Sequence, residues 1–213
     1  MFLWLDVDAE LRARSQGRLT IDDYVKRFYA GETGVPRVKP YVEQDVYDTL
    51  GAIAPADWRT LIHRHLEQLD TNALLGALSR TGWKLEYSAE PNAAAATRDK
   101  RHGSTNRRWS IGLIVDKAAK IVDVVSDRAA ARAGASPGMT IVAVNGKKFT
   151  TKVLDAAIAE AQTLRRPIVL LVENAEYYSS LNVEYYDGPR YPHLLRLEGQ
   201  PDTLSSVIAA RVK

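Results

Sequence analysis

Ser110-Ile111-Gly112-Leu113, Ile121-Val122-Asp123-Val124-Val125, Ala129-Ala130-Ala131-Arg132-Ala133-Gly134 and Pro137-Gly138-Met139-Thr140-Ile141-Val142-Ala143-Val144-Asn145-Gly146 follow one another in a short stretch, and their order decides the fold. Gly112 permits a tight turn whose backbone N–H groups can converge on an anion. Gly134 stops the short alanine helix, and Asn145-Gly146 is a type I′ turn signal between two strands. A second helix opens at Thr150 or Thr151, and its Leu154, Ile158 and Ala161 share one face at i, i+4 and i+7. Working outward, strand-like runs cover 83–87, 111–115, 121–125, 141–144, 168–172 and 181–185, with helical stretches at 129–133 and 151–161. Residues 91–108 are polar, alanine-rich and poor in large apolar side chains, and read as a mobile loop. So many strands and two helices in so short a span predict a small, partly open barrel.

This ordered set resembles a PDZ domain, spanning about 82–188. The resemblance implies that Ser110, Ile111, Gly112 and Leu113 receive a peptide's terminal carboxylate and that the peptide adds beside Leu113, Ile114 and Val115. Ile114, Leu154 and Ile158 would supply apolar pockets, with Ala161 one turn further. Leucine at 154, where histidine would favour serine or threonine in the ligand, implies a preference for apolar residues. Arg107 or Arg108 would add positive potential beside the carboxylate loop. A ligand-sized gap between Leu113 and Leu154 would mark an open groove, whereas residues 189–213 filling it would mark a structural or dimerisation role.

Residues 1–81 read as helices, so the chain as a whole is α+β. Thr20-Ile21-Asp22-Asp23 is a capping-box pattern with Ile21, Val25 and Phe28 inward. Val42, Val46, Leu50 and Ile53 recur at helical spacing, as do Trp58, Leu61, Ile62, His65, Leu66 and Leu69, then Leu74, Leu75 and Leu78 before Gly82. Met1 to Leu5 is apolar but runs into Asp6 and Asp8, lacks the basic leader of a signal peptide, and reads as a helix entered without a cap. A helix entering so abruptly suggests that its natural partner surface, or the preceding chain, is missing. Residues 189–213 form a tail.

Phe2-Leu3-Trp4-Leu5-Asp6-Val7-Asp8-Ala9-Glu10-Leu11-Arg12, Leu19-Thr20-Ile21-Asp22-Asp23, Pro55-Ala56-Asp57-Trp58, Gly82-Trp83-Lys84-Leu85-Glu86-Tyr87 with Glu90-Pro91-Asn92, and Arg190-Tyr191-Pro192-His193-Leu194 with Glu198-Gly199 together resemble the region after the catalytic motifs in glycyl aminopeptidases. These are family-61 zinc metallopeptidases carrying a C-terminal PDZ domain. The resemblance implies a zinc metallo-aminopeptidase as parent, with zinc held by an HExxH helix and a downstream glutamate. This sequence contains no HExxH. His63 and His65, two apart on a helix, point to different faces. His65 reads as a packed helix residue, His102 as part of the loop, and His193 as part of a Tyr-Pro-His turn docking the tail. No Gly-x-Ser-x-Gly elbow, phosphate loop or dinucleotide fingerprint is present. Asp6, Asp8, Asp22 and Asp23 read as acids of helix starts and solvated faces. No catalytic residue, cofactor or metal ligand is therefore assigned to this chain.

With 26% charged residues and a net charge of +3, the surplus is too small to mark a nucleic-acid binder. The basic cluster Arg98, Lys100, Arg101, Arg107 and Arg108 has only Trp109 for stacking, and reads as a solvated loop. No apolar run approaches the roughly 20 residues that cross a bilayer, and cysteine is absent, which excludes disulfides and thiolate sites. The expected partners are peptide or protein C-termini with apolar residues, and a missing catalytic domain. A soluble protein is expected, with neither nucleic acid nor membrane as a partner; its compartment and oligomeric state are left open. The functional expectation is a peptide-binding module, with a structural or dimerisation domain of internally occupied groove as the alternative.

Overall fold

The computed structural model describes residues 2–30, 34, 38–67 and 71–210, with only the backbone of 71–74. The chain divides into two units, one of Met1–Leu85 with Leu194–Lys213 and one of Glu86–His193.

The N-terminal stretch of the first unit carries the helices α1 (Phe2–Ser15), α2 (Ile21–Tyr29), α3 (Glu43–Ile53), α4 (Trp58–Leu66) and α5 (Thr71–Arg80). The capping box at α2 forms: the Thr20 hydroxyl accepts from Asp22 N at 3.2 Å, and the Asp23 carboxylate accepts from Thr20 N at 2.8 Å. The buried face holds Val7, Leu11, Tyr24, Phe28, Leu50, Trp58 and Ile62. Phe28 points inward as expected, but Tyr24 rather than Val25 is buried beside it. The larger ring stacks between Trp4 and Phe28, whereas Val25 is exposed. Leu66 and Leu75 are exposed, and Val42 stands exposed at the N-cap of α3. Leu69 and the side chain of Leu74 lie outside the described residues.

Asp6 and Asp8 are not on a solvated face; both are fully buried in α1. A carboxylate is tolerated there only with close charge partners. Asp6 pairs with Arg80 through two guanidinium nitrogens and with His65 Nε2 at 2.7 Å. Asp8 accepts from Arg12 Nε at 2.6 Å and from the backbone N–H of Ile21 at 2.7 Å, so it ties α1 to the first turn of α2. His65 is thus the packed helix residue expected, with a carboxylate as its neighbour.

The second unit is entered through β1 (Trp83–Ser88). It contains α6 (Ala93–His102), β2 (Thr105–Arg107), β3 (Leu113–Val115), β4 (Ile121–Val124), α7 (Ala129–Arg132), β5 (Thr140–Val144), β6 (Lys147–Lys148), α8 (Thr151–Leu164), β7 (Ile168–Asn174) and β8 (Tyr177–Val183). The chain leaves through β9 (Tyr191–Arg196), which pairs with β1, and ends with α9 (Thr203–Ile208). The other sheets have the orders β2-β3-β4 and β6-β5-β7-β8, and none closes into a barrel. The α+β class holds. Asn145 and Gly146 form the expected turn, both at positive φ, between Val144 and Lys147. Ile168, Leu170 and Val172 alternate inward on β7 and pack on Ile141, Leu154 and Ile158.

Three expectations fail here. Residues 91–108 are a helix and a strand rather than a loop. Four alanines favour helix without any apolar stripe, Asn92 caps the start by accepting from Ala95 N at 2.7 Å, and Gly103 ends it left-handed. The last strand of the unit lies at Tyr177–Val183 rather than 181–185, set by its full-length pairing with β7. His193 sits in a strand rather than a turn, with Nε2 at 2.9 Å from the Ser88 hydroxyl and 2.8 Å from the Glu90 carbonyl. Among the described residues no helix is long and apolar enough to cross a membrane.

Candidate functional site

The candidate site lies within the second unit, between β3 and α8. Gly112 makes the preceding turn at φ +89°, a conformation that L side chains avoid, and a Cβ there would collide with Cβ of Arg128. The turn brings the backbone N–H groups of Gly112 and Ser110 to one acceptor, at 3.0 and 3.2 Å. That acceptor is the carbonyl oxygen of Arg107, from the chain itself.

The edge of β3 expected to be unpaired is occupied by β2. The pairing is antiparallel, with Thr105 opposite Val115, Asn106 opposite Ile114 and Arg107 opposite Leu113; β4 takes the other edge. Strand β2 also reaches α8: the Thr105 and Thr151 hydroxyls are 2.6 Å apart, and Arg107 donates to both Asp155 carboxylate oxygens at 2.5 and 2.8 Å. A three-residue segment of this chain thus lies where an added peptide strand would lie. A cleft of about 620 Å³ opens beside it, bordered by Asp99, Thr105, Thr151 and Tyr191.

Arg107 is 7% exposed and does not supply free positive potential. A guanidinium so buried demands counter-charges, which Asp155 provides bidentately and Asp99 at 3.1 Å, while the Tyr191 ring lies 5.5 Å from it. Burial acts against its charge, but Asp155 first among its neighbours outweighs this and raises its pKa. Burial also raises the Tyr191 phenol. Arg108 is taken as well, donating to Asp123 at 2.7 Å.

The remaining expected site residues come together in a different role. Ile111, Leu113, Val115, Leu154, Ile158 and Ala161 are all buried in one apolar core, and Leu113 and Leu154 have no exposed surface at all. Leucines facing a partner strand of the same chain become core, which removes the expected gap and pockets. Ile114 keeps partial exposure opposite Asn106, and the buried Ser110 hydroxyl accepts from Arg190 N at 3.1 Å. Within the second unit the segment paired with β3 at this edge is β2, while Arg190 and Tyr191, at the start of the expected tail, reach Ser110 and Arg107. Sequence reasoning missed Thr105, Thr151, Asp155 and Asp99; the only local sign was Thr151 and Asp155 on one helical face.

His63 lies at 3.1 and 2.9 Å from Glu43 and Glu67, His65 faces Asp6, and no set of three or more candidate ligands gathers among the described residues.

No family model matches the chain, and no curated protein matches it. Among solved structures it is similar to an aminopeptidase N family protein from Idiomarina loihiensis, with a TM-score of 0.56 and 16% identity over 97% of this chain. This chain spans 35% of that protein's length. An HtrA3 PDZ domain bound to a phage-derived ligand aligns with 55% of this chain and 95% of its own, at 15% identity and a TM-score of 0.26. At the identity of the aminopeptidase N family protein the likeness is one of fold.

Proposed function

We propose that this chain is a non-catalytic part of a larger aminopeptidase-family protein, and that its second unit is a PDZ-type peptide groove filled by its own strand β2. The single observation carrying this reading is the Arg107 carbonyl, which accepts the two turn N–H groups while the Arg107 side chain binds α8. Backbone pairing with β3, N–H donation from the turn and a side-chain contact to the helix are the interactions that strand addition uses. Here they are made in cis, and the module serves as a structural, self-complemented unit. A glycyl-aminopeptidase-like parent, with its zinc centre upstream of this chain and the module near its C-terminus, accommodates both the sequence resemblance and the shared fold.

A competing peptide must displace a tethered strand, whose effective concentration is on the order of millimolar for a short linker, and must replace a buried ion pair. Titration by fluorescence anisotropy tests the reading, using apolar-ended peptides made both as free acids and as amides. The wild-type chain should bind neither form, and Arg107→Ala should gain binding to the free acid only. Wild-type binding that disappears on amidation would overturn self-occupancy. An intact-mass measurement on the natural product tests the larger parent.

A further inference from the structure

The opposite flank of α8 carries a cleft of about 760 Å³ that the groove reading does not use. Its floor is apolar, with Val153, Ala157, Leu164 and Val169 among its residues, and Leu164 and Val169 are 49% and 37% exposed. Lys147, Lys152 and Arg166 border it from β6, α8 and the segment leading into β7, against the single carboxylate of Glu160. None of these three cations has an ion-pair partner among the described residues. This contrasts with Arg107 on the other flank, which is paired with Asp155 and Asp99.

We infer that this cleft binds an acidic peptide segment of a partner protein, with carboxylates on both sides of a large apolar side chain. Charge complementarity sets the sign of the ligand, since uncompensated cations around desolvated apolar surface favour an anion with an apolar body. Its length sets the class. From Val153 to Leu164 the lining runs about 16 Å along the helix axis, the span of roughly five extended residues. A nucleic acid is disfavoured because no aromatic side chain lines the cleft for stacking. The inference stands apart from the β3 groove and needs no free peptide terminus.

The test uses the peptide acetyl-Asp-Glu-Leu-Leu-Glu-Asp-amide, capped at both ends so that it offers no terminal carboxylate, in anisotropy titrations of the full chain. Saturable binding is expected, weakening as salt rises. Lys152→Glu should weaken it about fivefold, and adding Lys147→Glu should weaken it further. Leu164→Ser should also weaken it, and replacing the four acids by lysine should abolish it. Absence of saturable binding would overturn the inference. So would affinity unchanged by Lys152→Glu with circular dichroism intact, or equal binding of a neutral Gln-substituted peptide. Co-sedimentation with anionic phosphatidylserine vesicles in place of peptide binding would likewise overturn it, in favour of a membrane surface.

Discussion

The two flanks of α8 are built from the same helix and end in opposite states. On one, β2 pairs with β3, and its Arg107 finds Asp155 on the helix. On the other, β6 and β7 border a cleft whose apolar surface lies open among cations that have no ion-pair partner among the described residues. The difference teaches that a helix face becomes core or binding surface according to what the chain lays beside it. Leu154 and Ile158 are groove residues by spacing and core residues by exposure.

The comparison breaks most sharply at Leu154. If it is core, Leu154→Ala should cost about 2–5 kcal/mol in urea denaturation; a loss below about 1 kcal/mol would mean an open wall. Gly112→Ala tests the turn that delivers β2. Positive φ and the collision with Arg128 should together cost about 2 kcal/mol, with amide exchange at 105–107 accelerating by the same measure. Asp155→Ala leaves the buried Arg107 with Asp99 as its remaining carboxylate partner among the described residues. Because the Asp155 side chain is 39% exposed, the loss should be about 1–2 kcal/mol rather than the full cost of breaking a buried pair. Faster exchange confined to 105–107 would identify β2 as the segment released. Lys152→Glu should shift stability by under about 0.5 kcal/mol. A larger loss would show that the open flank has structural partners after all.

Much of this architecture is legible in the sequence because it is local. The Asn145-Gly146 turn, the alternation of Ile168, Leu170 and Val172, and the shared face of Leu154, Ile158 and Ala161 are each written within a few residues. What stays hidden is long-range or apolar-poor. Strand β2 reads Thr105-Asn106-Arg107 and shows no alternation; its placement rests on backbone pairing and on an aspartate 48 positions away. The expected site therefore named residues of β3 and α8 and lacked the segment that pairs with β3. Asp6 is illegible for the same reason, since its principal partner Arg80 stands 74 positions on. Helix α6 was legible in principle: Asn92, four alanines and Gly103 spell a capped helix, which a search for apolar stripes passes over.

The pairing of β1 with β9 has a consequence for how such a protein can be assembled and altered. Paired strands lie about 5 Å apart, and within the second unit Ser88 touches His193 while Asn92 donates to the Pro192 carbonyl at 2.5 Å. The first and last residues of that unit are therefore neighbours in space. Such a unit behaves as a cassette: gene fusion or circular permutation can move it between hosts, because accepting or losing it requires only that a host chain open and reseal one gap of strand width.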